Sequence, residues 1–426
     1  MLKTAAAVAV LLAGFAGPAL SLSGPDAEWE ASVPGRCELR PTGAGRGVEP
    51  PGPGPASVTV PFEMDHNRMF VEVEFLRPDG TVRKARAWMD TGNEALVLQE
   101  PLARELGYDV PAGEAGTWVL LPKAPGLRLD GWPLDSADVP AGVLRGPRVR
   151  PGLLVEAQLP ASLFRKCHVI LDYPARRLTV ARPGALKPRG VPVPCRVNDK
   201  TGLFLVEAIA DGEILALGVD NGSSYTWVSD TLTKAWSGRH PDRPYAVGAA
   251  GAANFFGFDF ESEGTLMRLP ELRIGGVRAP GVGVLGASQG LFEWYSKKSA
   301  GPVKGFIGAN VLKGFRVEID FPARTTYWEA GPAADSFDLD IVGLTLRPDA
   351  DGGYTVAGVV VKDGRRAVED VRPGDRLVRV DALDTAGAAM GAVVDAMRGT
   401  PGMTRTLVLE REGKPFVVKA KTMRLA

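Results

Sequence analysis

The order of apolar and polar residues between positions 57 and 332 is typical of short β-strands. Apolar or alternating runs such as 69–75 and 204–210 recur along this region. Gly, Pro, Asp and Asn separate the runs, and these residues favour tight turns because their backbones accept or impose turn angles. The pattern predicts a mostly β structure for residues 57–332.

The same region carries one longer pattern twice, in which an apolar run leads through a turn into Asp-X-Gly. The first copy is the run 70–74, the turn 78–80 and Asp90-Thr91-Gly92. The second copy is the run 204–208, the turn Asp211-Gly212 and Asp220-Asn221-Gly222. Taken alone, either Asp-X-Gly is more often a simple hairpin turn.

The two copies also end alike, with an apolar strand, Asp, an aromatic residue and Pro-Ala-Arg, at 164–176 and 315–324. A match at both ends in the same order indicates duplication of one β lobe. We therefore predict a first half at 57–187 and a second half at 188–332. Asp172 and Asp320, which belong to these endings, are interpreted as structural turn residues.

The pattern changes from about residue 335. Short strands are predicted at 343–346, 354–361, 376–380 and 406–410, around a helix at 386–397 that has Ala, Met and Val on one face. Residues 335–426 are therefore predicted to form a small, separate α+β domain.

The N-terminus is interpreted as a signal peptide, residues 1–23. Lys3 precedes an apolar stretch at 5–16, and small residues at 18–23 offer a cleavage site. The alternative is an uncleaved membrane anchor, although the stretch is short for a bilayer. Residues 24–56 are rich in Pro and Gly and are predicted to be a linker. We expect an exported protein, periplasmic or extracellular, with no integral membrane span after signal removal.

Composition excludes several kinds of partner and site. The chain has 426 residues, 45% of them hydrophobic, and 50 basic against 50 acidic residues, so no excess charge attracts nucleic acid or an anionic membrane. Cys37, Cys167 and Cys195 are an odd number, which leaves at least one thiol unpaired and the choice of any disulfide open. No Cys-X-X-Cys occurs and the His residues are scattered, so no metal site is expected.

The paired motifs and matched endings resemble the pepsin and retropepsin superfamily, closest to exported bacterial aspartyl proteases that carry a C-terminal PDZ domain. The resemblance covers about 57–426, and residues 305–312 resemble the family segment that supports a catalytic loop. It implies a bilobal pepsin-like double β-barrel followed by a PDZ domain. It also implies an aspartic endopeptidase that acts on exported or unfolded polypeptides without a cofactor.

The chemistry requires two motifs because two carboxylates held close together share one proton. One acts as general base on a water and the other as general acid towards the substrate carbonyl. Asp90 and Asp220 are the predicted catalytic dyad. The residues that support the catalytic loops are Thr91, Gly92, Asn221, Gly222 and Ser223.

Two further features follow from the resemblance. Flaps over the cleft are placed at 116–121 and 248–258, and Trp118 is a candidate for the substrate pocket, with a core position as the alternative. Pro373-Gly374-Asp375 and the loop that begins at Gly343 and Leu344 resemble PDZ motifs. A PDZ domain would bind the C-terminus of a peptide as an added strand; the alternative is a domain that packs on the lobes or mediates assembly.

The chain departs from the family pattern at several positions. Asn221 stands where Thr or Ser is usual, and Asn93 stands where a hydroxyl residue is common. Residues 153–155 are matched to 306–308, so the supporting Gly is missing from the first half. These departures leave a second hypothesis, a catalytically inactive peptide-binding or adaptor protein of the cell envelope. A serine protease with a PDZ domain fits less well, because no Gly-X-Ser-X-Gly is present.

Overall fold

The computed structural model describes residues 55–114, 117–145, 149–150, 153–248, 264–332, 335, 337–349 and 351–426, with backbone alone at 149–150 and 153–154. The described chain is mostly β, with barrel-like sheets, which confirms the fold class at that level. The predicted signal peptide and nearly all of the predicted linker lie outside the described residues.

The first half is built almost entirely from strands. They are β1 (Ser57–Pro61), β2 (Glu63–Asp65), β3 (Arg68–Leu76), β4 (Val82–Asp90), β5 (Leu96–Gln99), β6 (Trp118–Leu120), β7 (Leu127–Leu129), β8 (Trp132–Leu134), β9 (Ala141–Leu144), β10 (Val149–Arg150), β11 (Leu153–Leu154), β12 (Ala157–Pro160), β13 (His168–Asp172) and β14 (Arg177–Ala181). Helix α1 is Glu100–Glu105, and a 3₁₀ turn covers Ala161–Phe164.

The second half has the same overall plan with more helix. Its strands are β15 (Val191–Val197), β16 (Phe204–Ala210), β17 (Glu213–Val219), β18 (Thr226–Ser229), β19 (Tyr245–Val247), β20 (Thr265–Ile274), β21 (Val277–Ala287), β22 (Gly305–Ile307), β23 (Phe315–Asp320) and β24 (Thr325–Ala330). Its helices are α2 (Asp230–Arg239), α3 (Gln289–Ser296) and α4 (Ala309–Leu312). The strand pattern of the sequence did not predict α2 or α3.

The two halves are joined by a continuous sheet with the strand order β1-β14-β13-β23-β24-β15. At its centre β13 pairs with β23 antiparallel, with His168 opposite Asp320 and Asp172 opposite Arg316. Each half therefore contributes three corresponding strands, and their order in the second half is the reverse of that in the first. The fully buried Glu318 lies in this central pair, 2.7 Å from Nε2 of His168.

The repeated Pro-Ala-Arg endings are turns that follow β13 and β23. The carboxylate of Asp172 accepts from the Ala175 N–H at 2.9 Å, and that of Asp320 accepts from the Ala323 N–H at 3.0 Å. Both turns end on an arginine with φ of 52°. The prediction that these two aspartates are structural turn residues is confirmed.

The hairpins that lead to the two Asp-X-Gly motifs also correspond, with one correction. In the first hairpin, Phe70 lies opposite Trp88, two residues before Asp90. In the second, Leu205 lies opposite Gly218, two residues before Asp220, so Leu205 is the counterpart of Phe70. The sequence matched Phe70 with Phe204, which is wrong by one residue. The difference matters because neighbouring residues of a strand point to opposite faces of the sheet.

The C-terminal region, residues 335–426, has its own buried apolar cluster. Its strands are β25 (Asp340–Ile341), β26 (Leu344–Pro348), β27 (Tyr354–Val359), β28 (Val361–Lys362), β29 (Arg365–Arg366), β30 (Arg376–Val380), β31 (Leu383–Asp384), β32 (Thr404–Arg411), β33 (Lys414–Lys421) and β34 (Met423–Arg424), with helix α5 at Met390–Met397. The helix begins four residues later than predicted, because Gly387 has φ of 72° and its N–H bonds to Gly352 across a loop.

The C-terminal region packs on both halves. The Gly391 N–H at the start of α5 donates to the Asp65 carboxylate of the first half at 2.7 Å. A small apolar cavity of about 50 Å³ lies at this contact, between β26 and α5 on one side and His66, Tyr225 and Leu266 on the other.

Candidate active site

The two Asp-X-Gly motifs form loops of the same shape at the ends of β4 and β17. In each loop the Gly N–H donates to Oδ1 of the Asp at 2.9 Å. In each, the N–H of the third residue after the Asp lies 3.3 Å from the Asp carbonyl, from Asn93 in one and Ser223 in the other. The duplicated sequence therefore gives a duplicated loop.

The loops meet face to face. A Cβ placed on Gly92 would lie 2.5 Å from Cγ of Asp220 and 2.6 and 2.7 Å from its two oxygens. A Cβ on Gly222 would collide in the same way with the carboxyl of Asp90. Glycine is therefore required in both motifs by the close approach of the opposite carboxyl group.

Thr91 and Asn221 connect the loops across the interface between the halves. Oγ1 of Thr91 donates to the Val219 carbonyl at 2.8 Å and accepts from the Asn221 N–H at 3.1 Å. Oδ1 of Asn221 accepts from the Thr91 N–H at 2.8 Å. Asn221 is fully buried. It therefore makes a bracing contact although it is not a hydroxyl residue.

A second set of bonds from the start of β3 holds the second loop. Arg68, which is fully buried, donates through Nε to the Gly222 carbonyl at 2.9 Å. Nδ2 of Asn67 donates to the Ser224 carbonyl at 3.1 Å. These roles could not be predicted from the repeated pattern, because neither residue belongs to it.

Asp90 and Asp220 are brought together as a buried pair, 8% and 4% exposed. Burial raises the pKa of Asp90 well above its ordinary value, and the charge of Asp220 and a hydrogen bond with its carboxyl raise it further. Oδ2 of Asp90 accepts from Nε2 of Gln158, and Oδ2 of Asp220 accepts from the Ser223 hydroxyl. Such a pair keeps one proton more readily than isolated carboxyls do.

Gln158 is a site residue that the predicted match of segments did not indicate, because the supporting strand of the first half is β12 and not residues 153–155. β12 runs parallel to β4 with Pro160 opposite Asp90, just as β22 runs parallel to β17. The counterpart of Gly308 is therefore Pro160, and the match of 153–155 to 306–308 is wrong. The shared order after each position, Ala, a polar residue and two apolar residues, was the available signal.

The end of α3 and the segment after it carry aromatic and charged groups that interact with the first half or with the charges of the pair. Burial raises the pKa of the Tyr295 phenol well above its ordinary value, and the charges of Asp220, Asp90 and Glu94 add to this effect. Glu94 in the first half forms a buried ion pair with Lys298 in the second. Nζ of Lys298 also lies 4.0 Å from the ring centroid of Trp294, within cation–π range.

The remaining predicted residues lie away from the dyad loops or are only partly described. Trp118 lies in β6, half-buried, with its ring against Gly142 of β9. Gly116 and positions 249–258 of the predicted flaps lie outside the described residues. Gly343 packs against Val360 and Ala367, and the Leu344 N–H bonds to the Val342 carbonyl at 2.8 Å. That N–H is therefore already engaged within the predicted carboxylate-binding loop.

Three observations concern other predicted properties. Among the described residues, no group of three His, Cys, Asp or Glu side chains is arranged to hold a metal ion. No helix in the described ranges is both long and apolar enough to cross a bilayer. Cys167 and Cys195 carry free thiols, and Cys37 lies outside the described residues.

Comparisons with known proteins find similarity among solved structures. No protein-family model matches the chain, and no curated protein matches it. Among solved structures, the chain is similar to the aspartic proteinase from Irpex lacteus, with 11% sequence identity and a TM-score of 0.39. The match covers 65% of this chain and 98% of that one.

Proposed function

We propose that this protein is an exported, bilobal aspartic endopeptidase that hydrolyses peptide bonds of unfolded or exported polypeptides. The observation that carries the proposal is the buried pair of Asp90 and Asp220, each delivered by an equivalent loop and each lying against the glycine of the opposite loop. Asn221, the strongest sequence argument for an inactive adaptor, bonds across the interface and so supports the loop. Val155, the other argument, does not occupy the supporting position.

Hydrolysis uses a dyad that holds one proton and a water between its carboxyls. The ionised carboxyl takes a proton from the water while the oxygen of the water attacks the peptide carbonyl carbon. The other carboxyl protonates the carbonyl oxygen. The C–N bond of the resulting diol then breaks as the nitrogen takes the proton from one carboxyl and a hydroxyl of the diol gives its proton to the other, which releases an amine and a carboxylic acid and leaves one proton on the dyad. Because burial and the paired charge raise the pKa of Asp90, the required proton is retained above the ordinary range of an Asp.

The C-terminal region is proposed to be a PDZ domain that positions peptide substrates. The support is its arrangement of β26 beside α5, with apolar side chains of Leu344, Leu346, Met390 and Val394 between them. An extended peptide would add to β26, which pairs on one side with β27, once the C-terminal region separates from His66, Tyr225 and Leu266, which cover this groove.

The proposal is tested with a fluorophore-labelled, denatured protein as substrate between pH 3 and 7. Asp90→Asn and Asp220→Asn are each expected to lower the rate of cleavage at least 10³-fold, because the Asn–Asp pair that remains cannot supply both a general base and a general acid. Asp79→Asn, in an exposed turn, is the matched control and should cleave like the wild type. Cleavage by both dyad variants at the wild-type rate, or no cleavage by the wild type, would contradict the proposal.

A further inference from the structure

The outer oxygens of the two carboxyls have chemically different donors. Oδ2 of Asp220 faces the Ser223 hydroxyl, which comes from its own loop. Oδ2 of Asp90 faces the Gln158 amide, which comes from the neighbouring strand β12. Both donors are buried, with Gln158 7% and Ser223 8% exposed. The pair is therefore asymmetric although its backbone is duplicated.

The asymmetry arises from one side chain in the first loop. The backbone around Asn93 has the same bonds as that around Ser223: their carbonyls accept from Ala161 N–H at 2.9 Å and Ala309 N–H at 2.8 Å. The Asn93 side chain turns back on its own loop, where Nδ2 donates to the Ala95 carbonyl at 2.7 Å. The Asn93 side chain therefore supplies no donor to the Asp90 carboxyl.

Gln158, which supplies the donor to Asp90 instead, has no polar counterpart in the second half. The position of Gln158 in the strand pairing, opposite Trp88, corresponds to Phe306 opposite Gly218. Phe306 packs against Trp227 with ring centroids 5.0 Å apart. An amide thus occupies, in the first half, a place that belongs to the apolar core in the second.

We propose that Gln158 is a positioning residue that controls where the dyad holds its proton; this rests on the proposed peptidase function. An amide nitrogen can only donate, whereas a hydroxyl can donate or accept. A proton on Oδ2 of Asp220 can therefore point at Ser223, but a proton on Oδ2 of Asp90 would point at another donor. Oδ1 of Asp90 already accepts from the Gly92 N–H at 2.9 Å, so with Gln158 in place both oxygens of Asp90 face N–H donors and the shared proton is favoured on Asp220.

The decisive variants are Gln158→Met, which keeps length and removes the donor, and Asn93→Ser, which offers a hydroxyl from the loop. Gln158→Met should lower kcat/KM by roughly 10- to 100-fold and move the acid limb of the pH profile up by about one unit, since a hydrogen bond to a carboxylate is lost. Adding Asn93→Ser should recover at least tenfold of that loss and move the limb back. Gln99→Leu, another buried glutamine of the first half, is the control and should leave the limb unchanged.

Two measurements keep the outcomes distinct. If wild type and Asp90→Asn are both inactive, the peptidase proposal fails, and ¹³C NMR titration of the Asp90 carboxyl still tests Gln158 without turnover. Gln158→Leu, which has no donor and adds no charge, covers the case in which Gln158→Met does not fold, and should raise the titration midpoint of Asp90. The inference is overturned by an unchanged midpoint and pH limb in the Gln158 variants, or by a double variant no better than the single one.

Discussion

The contact between Gly92 and Asp220 sets how closely the two carboxyls approach. In Gly92→Ala the new Cβ would lie 2.5 Å from Cγ of Asp220. Carbon atoms not bonded to each other rest at about 3.5 Å or more, so the loop and the carboxyl must separate by about 1 Å. Thr91, held on both sides by bonds to the second half, prevents the loop from retreating freely.

The expected loss follows from that displacement. A misplacement of about 1 Å at reacting groups costs on the order of 100-fold in rate. Crowding of a packed site costs roughly 1–3 kcal/mol in the free energy of unfolding. Gly92→Ala should therefore lower kcat/KM about 100-fold while the variant remains folded.

The assay compares kcat/KM on the labelled denatured protein with urea unfolding of the same preparations. Gly238→Ala is the matched control, because a Cβ there meets no atom within 4 Å and the residue lies in helix α2. It should keep full activity and gain up to about 1 kcal/mol of stability. Activity of Gly92→Ala within threefold of the wild type would refute the argument that the glycine fixes the carboxyl spacing.

Two further predictions concern buried charges that join the halves. Lys298→Met leaves the Glu94 carboxylate buried without its ion-pair partner and should lower the free energy of unfolding by about 3–5 kcal/mol. Adding Glu94→Gln should recover most of this loss, as measured by urea unfolding. No recovery in the double variant would contradict the pairing. Burial would raise the pKa of Glu318, but hydrogen bonds from His168 and Arg316 outweigh it and lower the pKa. A carboxyl whose pKa is lowered by folding stabilises the fold at pH values above its unfolded pKa of about 4.3. This stabilisation is lost as the pH falls below that value. Glu318→Gln should therefore cost about 2–3 kcal/mol at pH 7 and flatten the decline in stability below pH 5, and an unchanged decline would count against this role.

Features set by local chemistry could be predicted from the sequence. The Asp-aromatic-Pro-Ala-Arg turns form because the Asp carboxylate caps an N–H three residues later, and this is written in consecutive residues. The Asp-X-Gly loops are of the same kind. The mostly β character followed from the run lengths and turn residues for the same reason.

Features that depend on contacts between distant segments were missed or matched to the wrong residues. Gln158 reaches Asp90 only because β12 enters the sheet beside β4, and strand order is not encoded in either strand alone. Arg68 contacts Gly222 only when the halves associate. The match of 153–155 to 306–308 failed because pairing register, rather than apolar character, decides which residue supports the loop.

The central sheet also affects how the chain is made. Until Phe315–Asp320 has been synthesised, the edge of His168–Asp172 that will pair with it stays open. An open strand edge is a template for pairing with another copy of the same chain. A ribosome-bound first half is therefore exposed to aggregation, and its partner strand arrives only after most of the second half has emerged. Production of the protein should consequently depend on fast translation or on a chaperone that covers this edge.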